Sequence, residues 1–346
     1  MTGVKCAVLN VGGWFDAEDP VGPLLTYRSV EEKNPGIANV LVMGPWSHGG
    51  WSRGTGGTLG NLNFGVLTGE FFREKIQFPF FMQYLKDKPA NLPEAWMFVT
   101  GLNEFRRLDA WPLKDLRPTT LYFDAGGVLS RSQPAGQGQF DEYVSDPARP
   151  VPYVAYTAGG FTSDYMTEDQ RFASRRTDVL VYQTPVLDAD LVIAGPVKVT
   201  LHVSTTGTDA DFVVKLVDVY PNDYPTPAAP AGQPVRADAV KMGGYQQLVR
   251  GEPFRGKYRR SFEKPEPFVP GQPDVITYEL PDVYHAFRKG HRVMVQVQSS
   301  WFPLVDRNPQ VFMEIPTAKP ADFKKATQRV YRSGGQASSI TVAVQP

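Results

Sequence analysis

Four stretches in the second half of the chain alternate apolar and polar side chains, and no other feature limits the fold so tightly. Val197, Val199, Leu201 and Val203 make the first, and Ile276, Tyr278 and Leu280 the second. Val293, Val295 and Val297 make the third, and Ile340, Val342 and Val344 the last. A helix repeats every ~3.6 residues, so a strict period of two fits strands that turn one face inward and the other out. Phe212 to Val219 is apolar on both faces and reads as a central strand. Shorter apolar runs, Trp96 to Val99, Leu121 to Phe123 and Val179 to Tyr182, lie between turns. The 32 glycines and 31 prolines supply turns, and 12% aromatic residues supply strand interiors. Residues 91–346 therefore read as a β-sandwich and the chain as mainly β. Pro225 to Pro234 reads as a long surface loop.

The first ninety residues follow another pattern. Cys6 to Val11 is an apolar run closed by Gly12-Gly13, and Ile37 to Met43 is a second one. Between them Leu24, Leu25 and Val30 recur at helical spacing, with Asp19-Pro20 as the start signal and Asn34-Pro35-Gly36 as the stop. Strand, helix and strand in close succession make a right-handed parallel crossover. Phe72, Ile76, Phe80 and Tyr84 then mark one face of a further helix, which Pro79 is expected to kink or split. Residues 1–90 read as a separate strand-helix-strand-helix unit.

Two polar residues stand where such a crossover keeps its chemistry. Asp16, in Trp14-Phe15-Asp16-Ala17-Glu18-Asp19, and His48, in Gly44-Pro45-Trp46-Ser47-His48-Gly49-Gly50, follow the carboxyl ends of the two strands. A carboxylate on one loop tip can accept the Nδ1 proton of an imidazole on the next. That fixes the tautomer and stabilises the imidazolium during proton transfer. Plainer readings exist for each: His48 as a turn residue capping its loop, Asp16 as an acid bonded to its own backbone. Glu18 and Asp19 are rival acids. The glycine-rich loop from Gly54 to Gly60 borders this region or merely connects, and it lacks the lysine of a phosphate loop.

Gly12-Gly13-Trp14-Phe15-Asp16 and Gly44-Pro45-Trp46-Ser47-His48 resemble the acid and histidine motifs of the cocaine esterase and α-amino-acid ester hydrolase family. That family takes in glutaryl-cephalosporin acylases and shares its C-terminal domain with X-Pro dipeptidyl-peptidases. Asp209-Ala210-Asp211-Phe212, Gly290-His291-Arg292, Ser299-Ser300-Trp301-Phe302-Pro303 and Asp306-Arg307-Asn308-Pro309 resemble its jelly-roll domain. The resemblance implies a jelly-roll β-sandwich preceded by the C-terminal portion of an α/β-hydrolase domain. It implies an enzyme that cleaves esters or amides of small carboxylic acids through an acyl-enzyme, dipeptidyl-peptidase activity included. Asp16 is then the orienting acid and His48 the general base, with Trp14, Phe161 and Tyr165 lining the acyl pocket. The loop from Ala158 to Met166, which carries the last two, equally suits packing between domains.

In that family the nucleophile serine sits upstream of the acid, in a Gly-x-Ser-x-Gly elbow. No Gly-x-Ser-x-Gly is expected anywhere in this chain, and Ser47, which follows Pro45-Trp46, does not fit one. The chain alone is therefore expected to be nearly inactive and to need the nucleophile-bearing N-terminal portion as its partner. Cys6 to Val11 should then be an unprotected edge strand, with apolar surface at Leu24, Leu25 and the stripe from Phe72 to Tyr84. The alternative is a non-catalytic β-sandwich binding or interaction module bearing a degenerate hydrolase remnant.

Composition narrows the remaining choices. The 36 basic residues balance 36 acidic ones, without the excess that nucleic acid demands. No apolar run approaches the roughly eighteen residues of a membrane span. A single cysteine, Cys6, excludes an internal disulfide framework and leaves the compartment open. No cofactor is expected. Asp209 with Asp211, and Asp306 with Asn308, are oxygen ligands at close spacing but too few for a calcium loop, so no metal is expected either. His202, His285 and His291 have no partner spacing and read as surface or core histidines. Homo-oligomerisation stays open.

Overall fold

The computed structural model describes every residue except 159, 161 and 227–239. Phe161 and most of the loop from Pro225 to Pro234 thus lie outside the described residues. Strand β1 (Val8–Gly13) pairs in parallel with β2 (Asn39–Gly44), in register from Val8 opposite Asn39 to Gly13 opposite Gly44. Helix α1 (Gly22–Lys33) makes the crossover between them. It starts at Gly22 rather than Pro20, with Pro23 in its first turn. Asp19 still serves that start from outside, its Oδ1 accepting the Gly22 amide at 2.7 Å. The helix stops at Asn34, as its sequence signals.

A short hairpin, β3 (Thr58–Leu59) and β4 (Leu62–Asn63), stands apart. Beyond it β5 (Ala95–Val99) lies parallel beside β2, and β6 (Glu104–Leu108) lies antiparallel beside β5. The first sheet thus runs on to Leu108, in the order β1-β2-β5-β6, and the division expected at residue 90 does not follow the hydrogen bonds. The run Trp96 to Val99, expected in the sandwich, is an inner strand of this sheet, buried on both faces. A short run without a period does not say which sheet will take it.

Between β4 and β5 a single helical rod runs through α2 (Thr68–Phe71), a π-helical stretch (Phe72–Gln77) and α3 (Phe78–Lys86). Pro79 has no N–H for the preceding turn, and the wider π-helical winding before it accommodates that loss without a break. Phe72, Ile76 and Phe80 are buried against Val40, Val42, Trp46 and Trp96. Leu24 is buried as well, so most of the apolar surface expected there is covered. Leu25 and Tyr84 are exposed as expected, and Phe78, Phe81 and Leu85 add to the exposed apolar surface. Strand β1 has β2 as its only strand neighbour among the described residues and is an edge.

Eleven strands build the rest: β7 (Arg117–Asp124), β8 (Val128–Ser130), β9 (Phe140–Ser145), β10 (Leu180–Gln183), β11 (Leu191–Thr205) and β12 (Asp211–Val219). They continue with β13 (Gln246–Arg255), β14 (Asp274–Phe287), β15 (Arg292–Gln298), β16 (Ala326–Tyr331) and β17 (Ser339–Val344). One hydrogen-bonded run links them as β13-β12-β15-β10-β8-β7-β17-β11-β16-β9, with β14 beside β11. All eleven send side chains into one core, Phe123, Leu201, Phe212, Ile276 and Val295 among them. The chain is mainly β, with few helices.

On β11, Val197, Val199, Leu201 and Val203 are fully buried while Lys198 is exposed, the alternation expected. Strand β12 lies between β13 and β15 and is buried on both faces. Strand β15 departs from expectation, because Met294, Gln296 and Gln298 are buried too. Its second face is not open to water: Met294 joins the core shared with the first sheet, and Gln296 reaches the Gln170 carbonyl at 3.5 Å. Among the described residues no helix is long and apolar enough to cross a membrane.

Candidate active site

Two backbone bonds carry the β1–β2 ladder beyond the strand ends. The Trp14 amide donates to the Gly44 carbonyl at 2.8 Å, and the Phe15 amide donates to the Trp46 carbonyl at 3.1 Å. Gly13 permits this, since a side chain there would collide with the Trp46 carbonyl. Trp46 itself is buried among Trp51, Phe72 and Phe105, and its indole N–H donates to Thr68 Oγ1 at 2.8 Å. The acid loop and the histidine loop are thereby held side by side.

Asp16 is 1% exposed and does two things at once. Its Oδ1 accepts the amides of Glu18 and Asp19 at 2.8 and 2.9 Å, which is the turn-capping role. Its Oδ2 and Oδ1 also lie 3.0 and 3.2 Å from His48 Nδ1. Fixed by backbone donors, the carboxylate cannot swing away from the ring. The His48 side chain is half exposed, and its Nε2 faces outward, 4.0 Å from the Glu18 carboxylate. An imidazole whose Nδ1–H is held by an acid keeps Nε2 as an acceptor, the tautomer that a general base needs.

One sequence expectation needs correcting here. Gly50-Trp51-Ser52-Arg53-Gly54 does spell Gly-x-Ser-x-Gly. It lies after the histidine rather than ahead of the acid, and it forms a single 3-10 turn (Gly50–Ser52) entered through Gly49 at φ 67°. Ser52 Oγ donates to the Gly49 carbonyl at 2.9 Å. A nucleophile elbow needs a strand before the serine and a helix after it, and this turn has neither.

The expected pocket residues divide. Trp14 is 2% exposed, its indole N–H donates to the Phe98 carbonyl at 2.8 Å, and its ring packs 6.0 Å from Trp111. Among the described residues it lies in the core, with its one polar atom committed inside. Phe161 lies outside the described residues. Tyr165 is buried against Tyr153 and Trp301, with ring centroids 5.7 and 5.6 Å away. Burial pushes its hydroxyl up to about 12. It lines a cavity of about 420 Å³ between the acid loop and β13, with Glu252 and Arg250 in the same wall.

Sequence reasoning missed a second acid–histidine assembly. Asp218 on β12 places Oδ2 3.2 Å from His285 Nε2 and Oδ1 2.8 Å from His291 Nδ1. The partners lie 67 and 73 residues on, a separation that only the sheet order brings together. The paired acids also have structural partners. Asp211 accepts from Asn308 Nδ2 at 2.8 Å and pairs with Arg255, which also pairs with Asp306. Burial pushes Asp211 up to about 7.

The profile of the X-Pro dipeptidyl-peptidase C-terminal non-catalytic domain matches residues 88–341. The chain belongs to that family. The match starts close to the division expected at residue 90, although β5 and β6 hydrogen-bond to the first sheet. Asp16 and His48 lie ahead of the family domain. Cocaine esterase of Rhodococcus sp. (strain MB1 Bresler) is 31% identical over 99% of this chain and 57% of its own length. A solved α-amino acid ester hydrolase is 42% identical with TM-score 0.89, covering 99% of this chain and 56% of that one. An aminopeptidase from the marine sediment archaeon Thaumarchaeota archaeon is 41% identical with TM-score 0.89, over 99% of this chain and 55% of its own. The chain thus spans little more than half the length of these relatives, all of them hydrolases.

Proposed function

We propose that the chain supplies the acid and the general base of a serine hydrolase acting on esters or amides of small carboxylic acids, α-aminoacyl groups foremost. The observation that carries this is the Asp16–His48 contact, with Nδ1 on the carboxylate at 3.0 Å and Nε2 turned outward. His48 Nε2 takes the proton of a serine hydroxyl as its oxygen attacks the substrate carbonyl. The imidazolium, stabilised by Asp16, then protonates the leaving alcohol or amine. A water deprotonated by the same nitrogen releases the acid. The nucleophile comes from a nucleophile-bearing segment that covers the open edge of β1 and the apolar stripe of Phe78, Phe81 and Leu85. In this reading the eleven strands are a jelly roll, and the first sheet is the C-terminal part of an α/β-hydrolase domain.

The α-aminoacyl preference rests on Glu18. Its carboxylate, 4.0 Å from His48 Nε2 and largely exposed, puts negative charge beside the reacting point, where an α-ammonium gains from it. An α-amino acid ester hydrolase and an aminopeptidase among the similar structures support that choice.

The test is reconstitution. The chain alone is expected to resist a fluorophosphonate probe and to hydrolyse aryl esters only by general-base help, worth about 10²–10⁴-fold over water. Joined to the nucleophile-bearing part of the similar ester hydrolase, it is expected to become labelled and active, and His48→Ala is expected to abolish both. Labelling of the isolated chain at Ser52 or Ser47 would mean that it carries its own nucleophile.

A second reading, a binding module without catalysis, is favoured by the description of the matched domain as non-catalytic. It predicts that the joined protein stays inactive whatever stands at position 48.

A further inference from the structure

The chain that leaves His48 is strapped onto the helical rod. The Gly50 amide donates to the Ser47 carbonyl at 2.9 Å, the Ser52 amide to Gly49 at 3.1 Å and the Arg53 amide to Gly50 at 3.4 Å. Gly49, at φ 67° and ψ 8°, takes the turn position that needs a positive φ. His48 therefore stands in the first of these overlapping turns, and a shift at their far end reaches its backbone. Beyond them the loop gives its carbonyls to the first residues of the rod. Arg73 Nη1 donates to the Trp51 carbonyl at 3.2 Å and Nη2 to the Gly54 carbonyl at 3.0 Å. The Gly69 amide donates to Thr55 at 2.9 Å, and Thr68 Oγ1 donates to Gly56 at 2.6 Å. Gly56, at φ 70°, lets loop and rod approach, since a side chain there would lie 2.5 Å from the Gly69 nitrogen. Thr68 is buried and also serves the core, but Arg73 is only partly buried. Among the described residues its guanidinium hydrogen-bonds to this loop alone. A guanidinium holds two acceptors at a fixed separation, which a lysine ammonium cannot do. One of the two is the carbonyl of Trp51, whose ring packs edge-on against Trp46 at 6.1 Å, two residues before His48. Arg73 also belongs to the π-helical stretch, a winding found often at functional sites.

We propose that Arg73 is a positioning residue for His48: it clamps the loop after the histidine and so holds the imidazole in register with Asp16. The inference rests on the proposed role of His48 as general base and deepens it. Arg73 acts through the backbone of the turns and takes no part in bond-making.

Nitrogen NMR of the histidine rings tests this on the full chain without any nucleophile. At a pH where imidazoles are neutral, His48 is expected as the Nδ1–H tautomer that Asp16 selects. Arg73→Gln keeps a polar side chain but loses the paired donors. It is expected to move the His48 signals toward the tautomer mixture of a free imidazole and to leave those of His285 and His291 in place. Arg73→Lys, with one ammonium for two carbonyls, is expected to fall between. In the joined enzyme Arg73→Gln is expected to lower kcat about tenfold with KM level, because a small misplacement of a reacting group is costly. An unchanged His48 tautomer in Arg73→Gln overturns the proposal. So does a change shared by all the histidines, which would mean general loosening rather than positioning. Inactivity of the joined enzyme before any substitution would count against the hydrolase reading, and the His48 tautomer would still decide for or against Arg73.

Discussion

Among the described residues two acid–histidine assemblies have nearly equal hydrogen-bond lengths, and their surroundings differ. At the strand ends, Asp16 holds one nitrogen of His48 while the other faces outward from a half-exposed ring. Within the β-rich part, Asp218 holds two imidazoles that are both buried. His285 is closed on both sides, because its Nδ1 lies 2.8 Å from Thr100 Oγ1. His291 packs against Tyr220 and Tyr224, and with Asp218 it borders a small cavity. Thr100 follows β5, so the chain Thr100–His285–Asp218 ties the first sheet to β12 and β14. The hydrogen bond to a carboxylate is common to both assemblies and distinguishes neither. What separates His48 from His285 is the second nitrogen, open on the half-exposed ring of the first and held by Thr100 in the second.

The largest effect should come from Asp16. In the joined enzyme Asp16→Asn is expected to lower kcat by about 10⁴-fold, since an amide favours the wrong tautomer of His48. Unfolding should change little, because the Asn oxygen can still accept the amides of Glu18 and Asp19. Asp218→Ala is expected to do the opposite. Leaving two buried imidazoles without their acceptor should cost about 3–5 kcal/mol in chemical denaturation. A similar stability loss at the two positions would erase the distinction between them.

This contrast also marks where sequence reading succeeds. Asp16 and His48 were legible because each belongs to a local motif, and a short crossover leaves neighbouring strand ends little freedom. The burial of Val197 to Val203 on one face was legible because period two is a geometric signature. Other features depend on contacts that no local pattern records. Val99 and its neighbours form an apolar run that either sheet could take. Asp218 meets its histidines only through the order β12-β15 and the packing of β14. Trp14 sits beside the acid in sequence yet turns inward, because the Phe98 carbonyl is there to receive it. The Gly-x-Ser-x-Gly string at Gly50 to Gly54 shows the converse, a motif without the strand and helix that give it meaning.

Lys215 sharpens the comparison from the buried side, where charge has no route to water. It is wholly buried, and burial lowers its ammonium from 10.5 to about 7. Between those values the unfolded chain holds one proton more than the native one, so stability should rise as pH increases from 7 toward 10.5. Below pH 7 the penalty for the buried ammonium is fully present and constant. Lys215→Met is therefore expected to stabilise the protein at neutral pH and to flatten the rise. Urea midpoints for both proteins at several pH values check it. Parallel curves would mean that Lys215 does not titrate in this window.

The smallest effect belongs to Trp14, and it separates wall from core at the acid loop itself. Trp14→Phe keeps an aromatic ring but removes the N–H that the Phe98 carbonyl accepts. The loss should be about 1–3 kcal/mol, the cost of leaving a buried acceptor unsatisfied together with a small void. Because the ring is 2% exposed and packed on Trp111, no substrate should meet it. KM and kcat of the joined enzyme should then stay level across acyl groups of different size while the unfolding midpoint falls. The reverse pattern, a size-dependent change in KM with stability intact, would return Trp14 to the pocket. It would also show that the docked nucleophile segment opens the core beneath Asp16.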